Sequence, residues 1–93
     1  MKESKYIWKN GKFIPWKEAT THVLTHCLHY GTGVFEGIRA YATEQGTRIF
    51  KPQAHFERLQ FGAEVMDIEF KYSVEELTAI TYDLLQKNNL SNA

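Results

Sequence analysis

The stretch from residue 26 to residue 41 constrains the fold of this chain more than any other. It holds two histidines, two tyrosines, one phenylalanine and three glycines in sixteen residues. Glycines at positions 31, 33 and 37 permit positive φ angles or a close approach of the backbone, which predicts a shaped turn that leads into a strand. Such a turn would hold aromatic side chains as one wall of a small-molecule pocket. A hairpin corner with ordinary core aromatics remains the alternative.

Length and charge exclude several classes of function. The chain has 93 residues, 43% of them hydrophobic, so we expect at most one small domain. Eleven basic and eleven acidic residues cancel, which argues against nucleic acid or an anionic membrane surface as a partner. The single cysteine, Cys27, excludes an internal disulfide and suits a reducing compartment. No apolar run approaches the ~18 residues that span a bilayer. We therefore expect a cytoplasmic protein with no nucleic-acid or membrane partner.

Two β-hairpins are predicted from turn residues between short apolar runs. Asn10-Gly11, the pair preferred in type I′ turns, separates the runs 6–9 and 12–15. A second antiparallel pair is predicted from residues 36–41 and 47–50, with a loop at 42–46 between them. Four strands are enough for a sheet, one face of which must pack against other elements of the chain.

Two helices are predicted to pack against that face of the sheet. Pro52 suits the first turn of a helix that runs to about Met66. Ser73 and Glu76 form a capping box at the start of a second helix that ends near Asn88. Apolar residues recur at helical spacing in both segments, so we expect each helix to face the sheet. The predicted fold class is α+β, with an antiparallel sheet and two helices on one face.

A metal site is an alternative for the histidines. His22, His26 and His29 would share one face of a helix, and zinc would accept three such imidazoles, with Cys27 as a further ligand. The helix propensity of this stretch is weak, and no carboxylate is placed to orient a ligand histidine. We expect structural or pocket-adjacent histidines and no metal.

Arg58 is the candidate anion ligand of the first predicted helix. It lies at the margin of the apolar stripe, where an arginine usually extends along the core edge with its head in solvent. Its planar fork of donors also suits a phosphate. Gly62, one turn further on, would leave room for the anion. The residues alone leave both roles open.

Residues 29–41, HYGTGVFEGIRAY, closely resemble the signature near the N-terminus of bacterial-type branched-chain amino-acid aminotransferases. These are pyridoxal-phosphate enzymes of fold type IV. The resemblance begins at residues 6–11, includes HFERL at 55–59 and continues to the end of the second predicted helix. D-amino-acid aminotransferase and aminodeoxychorismate lyase look similar, but they usually carry an acidic residue between the two glycines. Thr32 therefore favours the branched-chain family.

The resemblance implies a reaction, a cofactor and site residues. An amino group would pass between leucine, isoleucine or valine and 2-oxoglutarate, with pyridoxal 5'-phosphate as the cofactor. Arg58 matches the arginine that contacts the cofactor phosphate, and Phe35 matches a residue that lines the pocket for the branched side chain. Tyr30 matches a residue contributed to the neighbouring subunit's pocket, which implies a homodimer or a higher homo-oligomer.

The catalytic residue is expected to lie outside this chain. The family holds its cofactor as a Schiff base on a lysine of the second domain, and none of the eight lysines here sits at a matching motif. We therefore expect residues 1–93 to be an incomplete N-terminal small domain, inactive without the catalytic second domain. The alternative from a different class is a non-catalytic interaction or oligomerisation domain that docks through exposed aromatic residues.

Overall fold

The computed structural model describes residues 2–93 and confirms the α+β class. Its strands and helices, in chain order, are β1 (Tyr6–Lys9), β2 (Lys12–Pro15), α1 (His26–Tyr30), β3 (Ala40–Thr43), β4 (Gly46–Ile49), α2 (Pro52–Val65) and α3 (Val74–Lys87). A short 3-10 turn at Trp16–Glu18 follows β2. None of the helices formed by residues 2–93 has the length and apolar character that a membrane crossing requires.

The first hairpin confirms the turn predicted from Asn10-Gly11. β1 and β2 pair antiparallel, with Trp8 opposite Phe13. Asn10 has a φ of 51° and Gly11 a φ of 87°, so both central residues have the positive φ that a type I′ turn needs. An Asn at the first position tolerates this conformation and a Gly at the second has no Cβ to strain it.

The second hairpin is tighter than predicted. β3 begins at Ala40, not at residue 36, and the turn contains only Glu44 and Gln45, so the five-residue loop was wrong. The hydroxyl of Thr43 donates to the carbonyl oxygen of Gly46 at 2.6 Å and accepts from the backbone N–H of Gln45 at 3.2 Å. These side-chain bonds close the turn within two residues.

The strands form two separate two-stranded sheets instead of the single sheet expected. Side chains of α3 and of Asn88, the residue that follows it, contact both hairpins. Asn88 accepts a hydrogen bond from the backbone N–H of Tyr6 at 2.7 Å and donates to the Tyr6 carbonyl at 3.0 Å. The hydroxyl of Tyr82 accepts from the backbone N–H of Ile49 in β4 at 3.1 Å. These two side chains thus bond to strand backbone groups at positions where a neighbouring strand would otherwise pair.

The buried core is small and lies around α3. Ala40, Ile49 and Leu85 form one buried cluster between the second hairpin and α3. Phe56 and Ala63 are the buried residues of α2, which packs mainly against α3 and not against a sheet as predicted. Ser73 confirms the predicted start of α3, because its hydroxyl accepts from the backbone N–H of Glu76 at 3.0 Å.

Candidate functional site

The segment between α1 and β3 has no regular secondary structure, but its exposure alternates from one residue to the next, as in an extended chain. Even-numbered positions from 32 to 40 are half-buried or buried, and odd-numbered positions are exposed. Successive side chains of an extended chain point to opposite sides, which accounts for this alternation. Glu36 is therefore placed inward, and Phe35 and Arg39 are placed outward.

The inward carboxylate of Glu36 binds two side chains of α2. Arg58 donates from Nε to Glu36 Oε1 at 2.5 Å and from Nη2 to Oε2 at 2.7 Å, which makes a two-point ion pair. Nδ1 of His55 lies 2.7 Å from the same Oε2. His55 and Arg58 reach the same carboxylate because residues three apart lie on one side of a helix. We call Glu36, His55 and Arg58 the carboxylate cluster.

The cluster is buried at the carboxylate and open at the guanidinium. The side chain of Glu36 is 9% exposed, whereas that of Arg58 is 68% exposed. Hydrogen bonds from Arg58, and then from His55, lower the pKa of Glu36 from 4.5 to about 2, against the opposing effect of burial. The same ion pair raises the pKa of Arg58. Glu36 is therefore ionised at neutral pH.

Gly62 brings α2 close to the extended segment. A Cβ built on Gly62 would lie 3.2 Å from Cγ1 of Val34, which is tighter than an ordinary contact. Val34 thus fills the space that a side chain at position 62 would take, so the close packing of α2 against this segment favours glycine here. This contact lies one helical turn from Arg58 and two residues from Glu36, so it aligns the two partners of the ion pair.

The remaining donors of Arg58 fit a phosphate. Nε and Nη2 are used by Glu36, and the structure of residues 2–93 gives Nη1 no hydrogen-bond partner. A guanidinium carries five N–H donors in one plane, so the edge away from Glu36 keeps donors for a second anion. The exposure of Arg58 leaves that edge accessible to such a ligand.

Tyr30 and Phe35 are both surface residues. Phe35 is 92% exposed and Tyr30 is 73% exposed. Tyr30 ends α1, and Gly31 follows it in the left-handed conformation, with its N–H bonded to the carbonyl of Cys27 at 2.8 Å. A cavity of about 320 Å³ lies between β1, β3 and the end of α3, but Tyr30, Phe35 and Arg58 do not line it. The structure thus does not gather the three predicted site residues around that cavity.

The three histidines of the suggested metal site have separate partners. His22 Nδ1 accepts from the backbone N–H of Leu24 at 3.0 Å. His26 Nδ1 lies 2.6 Å from the hydroxyl of Thr32, and His29 Nε2 lies 2.7 Å from a backbone carbonyl. Within residues 2–93, no group of three or more His, Cys, Asp or Glu side chains is arranged to hold a metal.

Sequence reasoning missed Glu36 and His55. Helical periodicity separated Arg58 from the acidic face of its own helix, and its acidic partner, Glu36, lies on a different segment. The available signal is the spacing of two between Val34, Glu36 and Ile38, which places a charged residue on the same side of a strand as two apolar ones. A carboxylate at such a position needs a partner, and a basic pair on a nearby helix supplies one.

Comparisons with known proteins cover nearly the whole chain. The family profile described as amino-transferase class IV matches residues 33–93. The branched-chain-amino-acid aminotransferase of Pseudomonas aeruginosa is 52% identical over 94% of this chain and 28% of its own length. That of Escherichia coli K12 is 41% identical over 99% of this chain and 30% of its own length.

Solved structures agree with this match. The crystal structure of the Escherichia coli branched-chain amino acid aminotransferase superposes with a TM-score of 0.94 at 41% identity, over 98% of this chain and 30% of that one. The T.th. enzyme complexed with N-(5'-phosphopyridoxyl)-L-glutamate gives a TM-score of 0.92 at 42% identity, over 97% of this chain and 30% of that one. The chain spans less than a third of the length of these relatives. The family match to residues 33–93, together with the relatives' fold, shows that this chain belongs to the class IV aminotransferases.

Proposed function

We propose that this chain is part of a branched-chain amino-acid aminotransferase. In this proposal, residues 1–93 belong to the small N-terminal domain, and the catalytic lysine belongs to a second domain outside the chain. The whole protein would transfer an amino group between leucine, isoleucine or valine and 2-oxoglutarate. Identities of 41–52% to curated branched-chain aminotransferases support this substrate class.

The observation that carries the proposal is the open donor edge of Arg58. One edge of the guanidinium is held by Glu36, and the other edge is exposed with donors available to a phosphate. The T.th. branched-chain amino acid aminotransferase has been solved with pyridoxamine 5'-phosphate, and its chain superposes here with a TM-score of 0.92. Pyridoxal 5'-phosphate is therefore the proposed cofactor, and it supplies an electron sink when bound.

The other two site residues are proposed to bind substrate. Phe35 presents an exposed apolar ring from the turn-to-strand segment, which suits contact with a branched aliphatic side chain. Tyr30 is proposed to reach the pocket of a second copy, so the protein would be a homodimer or a higher homo-oligomer. The proposal keeps the cytoplasmic location expected from Cys27, which is a free cysteine.

The test is cofactor retention by an Arg58→Ala variant of the complete protein. Loss of a charge-assisted donor pair should raise the Kd for pyridoxal phosphate by roughly ten- to hundredfold. The Kd is measured by absorbance titration of the apoprotein after dialysis. Arg48→Ala is the matched control, because Arg48 is exposed on β4 and its side chain donates only to a backbone carbonyl.

If Arg58→Ala binds the cofactor as tightly as wild type and only lowers the unfolding temperature, Arg58 stabilises the edge of the core and the cofactor proposal for this residue is wrong.

The interaction-domain alternative is favoured by one observation. Exposed apolar side chains concentrate between residues 23 and 35, namely Val23, Leu24, Leu28, Tyr30 and Phe35, each at least 62% exposed. A non-catalytic oligomerisation domain would self-associate through this surface without binding the cofactor. Sedimentation with and without pyridoxal phosphate, alongside the titration above, separates the two functions.

A further inference from the structure

Glu36 is a fully engaged carboxylate in a protected position. Its Oε1 accepts from Arg58 Nε at 2.5 Å, and its Oε2 accepts from Arg58 Nη2 and contacts His55 Nδ1, both at 2.7 Å. The Glu36 side chain is 9% exposed and that of His55 is 20% exposed. Both oxygens therefore have partners, and the buried end of the cluster is held from two positions on α2.

This arrangement determines the direction of the guanidinium. A two-point bond to a planar group orients its plane, and hence the direction of the donors on the opposite edge. An arginine side chain that is 68% exposed would otherwise sample many rotamers, at an entropy cost when it is ordered by a ligand. A carboxylate that orders Arg58 beforehand reduces that cost.

We propose that Glu36 is a positioning residue that orients Arg58 for the cofactor phosphate, with His55 holding the carboxylate in place. This inference rests on the proposed function, since it takes Arg58 as the phosphate ligand. It adds two residues to the phosphate site, neither of which needs to touch the phosphate.

Orientation and simple electrostatics predict opposite signs. A carboxylate close to the phosphate-binding arginine repels a phosphate, so its removal strengthens phosphate binding if charge alone matters. If Glu36 orients Arg58, its removal weakens phosphate binding even though a negative charge has been lost. The direction of the change therefore separates the two effects.

The experiment measures the Kd of pyridoxal phosphate, and of inorganic phosphate alone, for the apo form of the complete protein. Glu36→Gln should raise both constants by about tenfold, because an amide offers one acceptor where two are needed and presents an N–H₂ group to the guanidinium. Glu36→Asp keeps the charge but is one carbon shorter, so it should also weaken binding. Glu57→Gln is the matched control. It removes one negative charge from the residue that precedes Arg58, but the carboxylate of Glu57 accepts its hydrogen bond from Gln53.

A double-mutant cycle tests whether Glu36 acts through Arg58. Arg58→Lys should weaken binding by itself, because a lysine cannot make the two-point bond with Glu36. Glu36→Gln added to Arg58→Lys should then cause little further loss of binding. The phosphorus NMR signal of the bound cofactor should shift in Glu36→Gln and stay unchanged in Glu57→Gln. Circular dichroism and the unfolding temperature show whether each variant is folded. If Glu36→Gln does not fold, the comparison of Glu36→Asp with wild type decides the question.

Failure of this inference differs from failure of the proposed function. Tighter or unchanged binding in both Glu36 variants, or additive losses in the cycle, would overturn the positioning role while Arg58 remained the phosphate ligand. Unchanged binding in Arg58→Lys and Arg58→Ala would overturn the proposed phosphate site itself.

Discussion

At the level of single residues, Glu36 connects segments that are distant in the chain. It lies nineteen residues before His55 and twenty-two before Arg58, yet it bonds to both. Its inward direction follows from the alternation of the extended segment, and its partners follow from the three-residue spacing on α2. The neighbouring residue, Phe35, points outward for the same geometric reason.

The ionisation of Glu36 can be measured directly. Its carboxyl ¹³C signal should titrate with a midpoint of about 2, below the ordinary value of 4.5, because Arg58 and His55 stabilise the charged form. In Arg58→Ala the midpoint should rise toward 4.5, since Arg58 is the largest cause of the shift. An unchanged midpoint in that variant would mean that another group holds the carboxylate in its charged form.

The lowered pKa also predicts how stability depends on pH. A carboxyl whose folded pKa lies below its unfolded value stabilises the fold at pH above about 4.5, and this contribution is lost as the pH falls toward 2. Urea denaturation across that range should show a smaller pH dependence in Glu36→Gln than in wild type. An identical pH dependence in both proteins would contradict the assignment.

Phe35 offers a test of the proposed substrate class in the complete protein. Phe35→Ala should lower kcat/KM for leucine and isoleucine more than for glutamate, because the lost apolar contact serves only the branched side chain and is worth about 1–3 kcal/mol. Phe61→Ala is the control, since Phe61 is also well exposed but lies on α2. Equal losses for all three amino acids would show that Phe35 supports the segment and does not contact the substrate side chain.

At the level of elements, α3 joins the two hairpins. Leu85 packs against Ala40 and Ile49 of the second hairpin, and Asn88 pairs with the backbone of Tyr6 in the first. Asn88 also ends the helix, as the sequence predicted, with its backbone N–H bonded to the carbonyl of Leu84 at 3.1 Å. One residue thus terminates α3 and attaches β1 to it.

Asn88→Ala should lower the free energy of unfolding by about 1–3 kcal/mol, because it leaves the backbone N–H of half-buried Tyr6 without its acceptor. The Tyr6 carbonyl also loses the Asn88 donor and keeps only the hydroxyl of Ser4, at 3.0 Å. Chemical denaturation of wild type and variant measures the difference. Gln86→Ala, an exposed change in the last turn of the same helix, is the control. A loss no larger than that of the control would mean that water satisfies the Tyr6 groups equally well.

At the level of the whole molecule, the chain supplies one side of a proposed active site. Arg58 and the segment from Tyr30 to Tyr41 are present, but the chain spans less than a third of the length of its relatives. Lys51, the lysine nearest in sequence to the carboxylate cluster, lies with its amine over the ring of Phe50, 5.5 Å from the centroid.

Residues 1–93 alone should therefore not catalyse transamination when pyridoxal phosphate is added. Borohydride reduction followed by peptide mapping should show weak, heterogeneous labelling of exposed lysines, because any exposed amine reacts slowly with an aldehyde. One stoichiometrically labelled lysine, together with turnover of leucine and 2-oxoglutarate, would contradict the proposal that the catalytic lysine lies in a second domain outside residues 1–93.

The sequence predicted the local backbone structure wherever a few neighbouring residues determine it. Asn10-Gly11 set the first turn because only certain residues tolerate positive φ, and Ser73 set the start of α3 because its hydroxyl reaches a backbone N–H three residues on. Family motifs likewise identified the class of protein from residues that stand together in the chain.

Tertiary structure decided the contacts between distant segments. The pairing of Glu36 with Arg58, the contact of Gly62 with Val34 and the attachment of Asn88 to Tyr6, which is 82 residues away, depend on how α2 and α3 are placed. The division of the strands into two sheets depends on the same placement. Such contacts reflect packing of whole elements, and side-chain periodicity within one segment shows which face is apolar but not which partner that face meets.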